Sequence, residues 1–166
     1  MDAALLPGAE VVTAVIVVDL DRAREVAGRV VDPEIPVLTI AELGILRAVG
    51  VEEGTVVVTI TPTYSGCPAM RQIEADIRSH LADAGFDRVA VITTHTPAWT
   101  TDWIGPEAAA KLTAFGIAPP SPASDVACPR CAASAPRIVS RFGSTACKAL
   151  MVCSRCGEPF DWFKEF

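Results

Sequence analysis

Apolar and polar residues along the first 117 positions follow two different periods. Ala23, Val26, Ala27 and Val30 recur three or four apart behind Asp19 or Asp21, which predicts an aspartate-capped amphipathic helix stopped by Pro33. Ile45–Val51 and Thr55–Ile60 are rich in β-branched residues and flank Glu52-Glu53-Gly54, the pattern of a hairpin. From Pro68 the period becomes helical again. Met70, Ile73, Ile77 and Leu81 share one face, Glu74 and Arg78 stand as an i,i+4 pair, and Gly85 suits the position after the helix end. Val89–Thr94 reads as a third strand and Pro106–Phe115 as a last helix followed by Gly116. The order α-β-β-α-β-α is that of a small α+β domain, and about 100 residues suffice to bury a core. Val11–Val18 fits either an extra strand or the start of the first helix.

Residues 118–125, Ala-Pro-Pro-Ser-Pro-Ala-Ser-Asp, break this pattern. Three prolines among small residues fix φ and remove donors, predicting an extended spacer. The chain thus divides into an extension at 1–18, a domain at 19–117, a linker at 118–125 and a short module at 126–166. Charge divides at the same place. Residues 1–125 carry 8 Lys/Arg against 17 Asp/Glu, and residues 126–166 carry 6 against 3, so a net −9 adjoins a net +3.

Of 166 residues, 51% are hydrophobic and the mean hydropathy is +0.37, which excludes a disordered, solvating chain. The overall −6 argues against nucleic-acid binding, which needs Lys and Arg to displace counterions. No stretch approaches the roughly 20 apolar residues of a membrane span, and the Met1-Asp2 start lacks the basic character of a secretory leader. A cytoplasmic chain without a membrane partner is expected.

Five of the six cysteines lie in the last module. Cys128-Pro-Arg-Cys131 and Cys153-Ser-Arg-Cys156 are two CxxC knuckles separated by 21 residues, the spacing that brings four thiolates around one tetrahedral ion. Gly157 suits the tight turn after the second knuckle. Some 40 residues cannot bury a sufficient core alone, so the metal supplies folding energy. Structural Zn²⁺ is the reading, with iron in the same cage as the alternative. Cys147 is either a residue packed between the module's strands or an exposed thiol activated by Lys148.

Cys67 stands alone in the first domain, in Thr61-Pro-Thr-Tyr-Ser-Gly-Cys-Pro68 between a strand and a helix. Pro68 at the first helical position would make Cys67 the N-cap, where the helix dipole lowers a thiol's pKa and Thr63 and Ser65 add hydroxyl donors. The alternative is a cysteine that merely packs. Asp32-Pro-Glu-Ile-Pro36 sets two carboxylates between two prolines, with Glu42 soon after, and reads as a rigid acidic loop or a solvated helix stop.

Asp32-Pro-Glu-Ile-Pro36, Leu43-Gly-Ile45 and Thr63-Tyr-Ser-Gly-Cys67-Pro together resemble the metal–sulfur cluster assembly factor family. With Pro97-Ala-Trp-Thr-Thr-Asp-Trp-Ile104, Phe142-Gly-Ser-Thr-Ala-Cys147-Lys and Glu158-Pro-Phe-Asp-Trp-Phe163 added, residues 20 to 166 resemble the PaaD family, whose members are encoded with the phenylacetyl-CoA epoxidase of aerobic phenylacetate degradation.

The resemblance implies an assembly-factor domain followed by a Cys₄ zinc ribbon, and an accessory protein that assembles or maintains the epoxidase's iron or iron–sulfur centres rather than an enzyme. It implies oxygenase and reductase subunits as partners. Cys67 would hold iron or a cluster transiently or take part in thiol exchange, with Asp32, Glu34 and Glu42 supporting it. Because Cys₄ ligation is the norm, stable cluster binding would require a homodimer or a client's own ligands. Trp99, Trp103, Phe160, Trp162 and Phe163 are either docking anchors for partners or core residues. A structural adaptor between oxygenase and reductase, and a thiol or electron carrier, are the rival functions.

Overall fold

A computed structural model describes residues 18–166. The Val11–Val18 expectation therefore falls outside the described residues, apart from Val18. The first helix, α1 (Leu20–Gly28), starts where Asp19 Oδ1 accepts the Arg22 N–H at 3.0 Å. It ends five residues before Pro33 rather than at it, so Val30 is buried just beyond the helix. The acidic stretch is not an open loop. It folds as a two-stranded hairpin of β1 (Val31–Asp32) and β2 (Ile35–Thr39), whose turn is tied by Asp32 Oδ1 accepting the N–H groups of Glu34 and Ile35 at 2.8 and 2.9 Å.

The main sheet has the order β3-β4-β5. The expected hairpin is present as β3 (Leu46–Glu52) and β4 (Thr55–Ile60), antiparallel with Glu52 opposite Thr55. Glu53 and Gly54 both have positive φ, 48° and 74°, the combination that a two-residue type I′ turn demands. After the helix α2 (Ala69–Asp83), β5 (Val89–Thr93) pairs parallel to β4, completing a β-α-β crossover. The expected Glu74–Arg78 pair does not form. Glu74 Oε1 instead accepts the Thr93 hydroxyl at 3.2 Å, and Arg78 donates to the Val89 carbonyl at 2.8 Å, so both fasten α2 to β5. Ala23, Ala27, Ile73, Ile77 and Leu81 of the two helices join Val56, Val58 and Ile60 of β4 in one core.

A 3₁₀ turn (Thr101–Trp103) precedes α3 (Pro106–Phe115), which ends at Gly116 with φ 91°. Trp103 packs so close to Gly44 that a Cβ there would lie 2.7 Å from the tryptophan's own Cβ, and Gly44 also has φ 69°. Only glycine meets both conditions.

The chain then enters a second sheet, of order β6-β9-β8-β7. Its β7 (Arg137–Ser140), β8 (Lys148–Val152) and β9 (Pro159–Phe163) are the antiparallel ribbon, and β6 (Ile117–Ala118) pairs parallel to β9. Ala118, expected as the first spacer residue, is thus a buried strand residue. The consequence is a shared core. Ile117, Cys147 and Phe163 belong to the first domain's apolar cluster, while Ala149, Met151, Phe160 and Trp162 pack a smaller one around Cys128 and Cys153. No helix among the described residues is long and apolar enough to cross a membrane.

Candidate functional site

The four ribbon cysteines converge. Cys128 Sγ lies 3.9 Å from Cys156 Sγ and Cys131 Sγ 3.6 Å from Cys153 Sγ, all four within 4.8 Å of one another. A tetrahedron with metal–sulfur bonds of ~2.3 Å has sulfur–sulfur edges of about 3.8 Å. The donor set therefore fits one tetrahedral ion closed on all sides. The N–H groups of Cys156 and Arg155 point at Cys153 Sγ and help pull that thiol down, while the three neighbouring sulfurs push Cys156 up, so the four thiols share their protons as a group until a cation takes their place.

The second constellation lies where the two modules meet. Cys67 is half-buried one residue before Pro68, and Pro68 itself occupies the N-cap of α2 in helical conformation. The expected N-cap thiol with a depressed pKa is therefore not found. Burial pushes the Cys67 thiol up, Glu34 and Asp32 add to that, and the Ala69 N–H and Thr63 hydroxyl pull back only in part. Asp32 is buried and Glu34 half-buried on the β1–β2 turn, and burial raises both carboxyls. Ser65 is exposed and gives Cys67 no hydrogen bond.

Glu42 serves elsewhere. Its carboxylate accepts the Thr39 N–H and hydroxyl at 2.9 and 3.0 Å and pairs with Lys111 of α3. The lysine bond holds the carboxyl below the usual range, and none of its partners belongs to the Cys67 site. Cys147 is 3% exposed, so the exposed-thiol alternative fails. It packs against the first domain's core rather than between the ribbon strands. Burial pushes its thiol up, the Thr145 hydroxyl 3.0 Å away and Lys148 pull it down, and Glu34 and Asp32 push it up again.

The Lys148 side chain is likewise buried, its ammonium 3.4 Å from the Glu34 carbonyl oxygen and 3.7 Å from Asp161 Oδ2. Tyr64, whose carbonyl accepts the Cys67 N–H at 3.2 Å, is pushed up to about 12 by burial and by the negative charge available to Cys67, Glu34 and Cys147. Neither Tyr64 nor Lys148 was singled out as a site residue on sequence grounds. The only signal was their adjacency to the two unassigned thiols.

The aromatic residues are mostly core. Trp99 donates Nε1–H to the Leu43 carbonyl at 2.8 Å and meets Phe163 at a centroid distance of 6.0 Å, clamping the two modules together. Phe160, Trp162 and Phe163 are buried, and half-buried Trp103 lies under the Arg47 guanidinium at 3.7 Å. Burial removes the four inner rings from any docking role in this conformation. The exposed rings are Phe142, Phe115 and Phe166.

The fold and the two thiol sites define a two-part class: an assembly-type α+β domain joined to a metal-binding ribbon. Residues 21–92 match the model of the iron-sulfur cluster assembly protein family, and residues 116–164 match the PaaD zinc beta ribbon domain. The provisionally named D component of the Escherichia coli 1,2-phenylacetyl-CoA epoxidase is 49% identical over 140 residues, covering 80% of this chain and 85% of that protein. An Fe-S protein maturation auxiliary factor of Porphyromonas gingivalis is 38% identical over 85 residues, 50% of this chain and 80% of its own length. A solved domain of unknown function, DUF59, from Bacillus anthracis superposes with a TM-score of 0.50 at 26% identity, over 54% of this chain and 86% of that one. The chain belongs to the PaaD family, the D components of phenylacetyl-CoA epoxidases.

Proposed function

We propose that this chain is a non-catalytic accessory factor that carries iron or an iron–sulfur cluster to the metal centres of a phenylacetyl-CoA epoxidase, working with its oxygenase and reductase subunits. The cargo is held transiently at Cys67, with Asp32 and Glu34 as adjoining oxygen donors. The observation that carries this reading is the placement of a half-buried thiol at the head of α2 against two carboxylates of the β1–β2 turn. Burial raises the Cys67 thiol, so a metal ion must displace its proton to bind, which suits capture and release better than permanent occupancy. The ribbon cysteines hold Zn²⁺ as a structural ion. A closed four-thiolate cage leaves no open coordination position, and zinc has no redox change, so electron transfer through the ribbon is not part of the proposal. The test is the iron content and activity of the epoxidase in a strain lacking this chain, complemented with wild type or Cys67→Ser. Restoration by wild type alone supports the carrier role. Equal restoration by the variant removes the thiol from it and favours a structural adaptor.

A further inference from the structure

Cys147 is used by neither the ribbon cage nor the carrier site as proposed. Strand pairing brings it to the junction. With β6 and β9 in one sheet and β8 beginning at Lys148, the residue just before β8 is set against the 32–35 turn, where the Lys148 ammonium reaches the Glu34 carbonyl. Filling the first core there would require only an apolar side chain. Instead the position holds a thiol bonded to the Thr145 hydroxyl, inside the apolar cluster that Tyr64 and Cys67 also pack against, and the charges of Glu34 and Asp32 act on it as they act on Cys67. The two sulfurs come from different modules, with Cys67 half-buried and Cys147 beneath the surface.

We infer that Cys147 is the second thiol of the carrier site, so that the ribbon supplies a ligand for the cargo as well as a fold. The inference rests on the reading of Cys67 as the carrier thiol. Two thiols beside two carboxylates suit iron in a sulfide-bridged cluster, each thiol releasing its proton as its sulfur takes a coordination position. Among the described residues, only the ribbon cysteines form a group of three or more donors within 4.8 Å. A single tetrahedral ion would demand that closeness at the junction also, whereas cluster ligands seated on different irons stand farther apart.

The test uses the full zinc-loaded chain. Under anaerobic conditions it is supplied with Fe²⁺ and sulfide, and bound iron, visible absorption and ribbon zinc are measured for wild type, Cys67→Ser and Cys147→Ala. Both variants should keep their zinc and lose cluster by more than about a hundredfold, beyond the ~10–100-fold cost of losing an outer-shell partner. A second readout needs no variant to fold. Phenylarsine oxide condenses with two neighbouring thiols, releasing one water and forming two As–S bonds, and peptide mapping of treated wild type should find it bridging Cys67 and Cys147. Full cluster binding by Cys147→Ala, or arsenic absent from that pair, overturns the inference. If Cys67→Ser alone loses cluster, the single-thiol carrier reading survives. If Cys67→Ser keeps it, that reading falls too.

Discussion

Replacing Lys148 by Met keeps the length of the side chain and removes its charge from the junction. The ammonium is about as buried as a core residue, with 4% of its side chain exposed, while its partner Asp161 keeps 20% exposure. Removing one member of a buried ion pair costs about 3–5 kcal/mol when the partner is stranded without solvent. The 3.7 Å separation and the partial exposure of Asp161 place this pair below that range, at about 2–3 kcal/mol including the hydrogen bond to Glu34. For a chain of this length that corresponds to a Tm lower by about 5–10 °C.

The deficit depends on pH in a fixed direction. Asp32 and Glu34 have folded-state values raised above 3.8 and 4.5, so the folded chain binds more protons than the unfolded one in that window, and stability falls as pH rises through it. Lys148 restrains both shifts, so its loss raises them further. The Lys148→Met deficit should therefore be smallest near pH 4 and complete by pH 7, measured by urea unfolding of zinc-loaded protein. A deficit under about 0.5 kcal/mol, or one equal at both pH values, refutes the electrostatic account of the junction.

Asp32→Asn keeps the acceptor for the Glu34 and Ile35 N–H groups and removes the burial penalty on a carboxylate. It should be as stable as wild type or more so at pH 7 while binding less iron at the junction, read by chemical unfolding and metal analysis. Glu42→Gln weakens a partly exposed ion pair with Lys111, so unfolding should show a loss of about 1 kcal/mol or less and iron binding should be unchanged. Stripping the ribbon's metal ion with a chelator should melt the β7–β9 ribbon, whose own cluster is small, and expose Trp99 by withdrawing Phe163 from it, detected as a change in tryptophan emission.

Local features were legible in the sequence, and features made by long-range pairing were not. The Thr55–Ile60 strand, the Ile73/Ile77/Leu81 helix face and the two CxxC knuckles each depend on residues a few positions apart, and each is found. The Cys67 error has the same scale. One residue separates it from the N-cap because Pro68, with φ −69° and ψ −23°, takes that position itself. Burial, with a smaller push from the neighbouring carboxylates, then reverses the expected direction of its shift.

Cys147 could not be placed from its surroundings in the chain. Its location follows from β6 pairing with β9 across more than forty residues and from Lys148 reaching Glu34, 114 positions away. The same pairing turns Phe163 inward against Trp99 and so converts expected docking anchors into the joint between modules. Glu42 shares its charge and neighbourhood with Asp32 and Glu34, yet β2 carries it to the α3 side of the domain.

The most direct measurement of the carrier role is transfer. The full chain, loaded anaerobically with isotopically labelled iron and sulfide, is mixed with metal-free epoxidase oxygenase and reductase, the proteins are separated, and label and activity are followed in each. The account predicts that label moves to the epoxidase proteins and restores activity with wild type, and that Cys67→Ser delivers far less while retaining its ribbon zinc. Equal delivery by Cys67→Ser, or label that stays on wild type while the epoxidase remains metal-free, would contradict it.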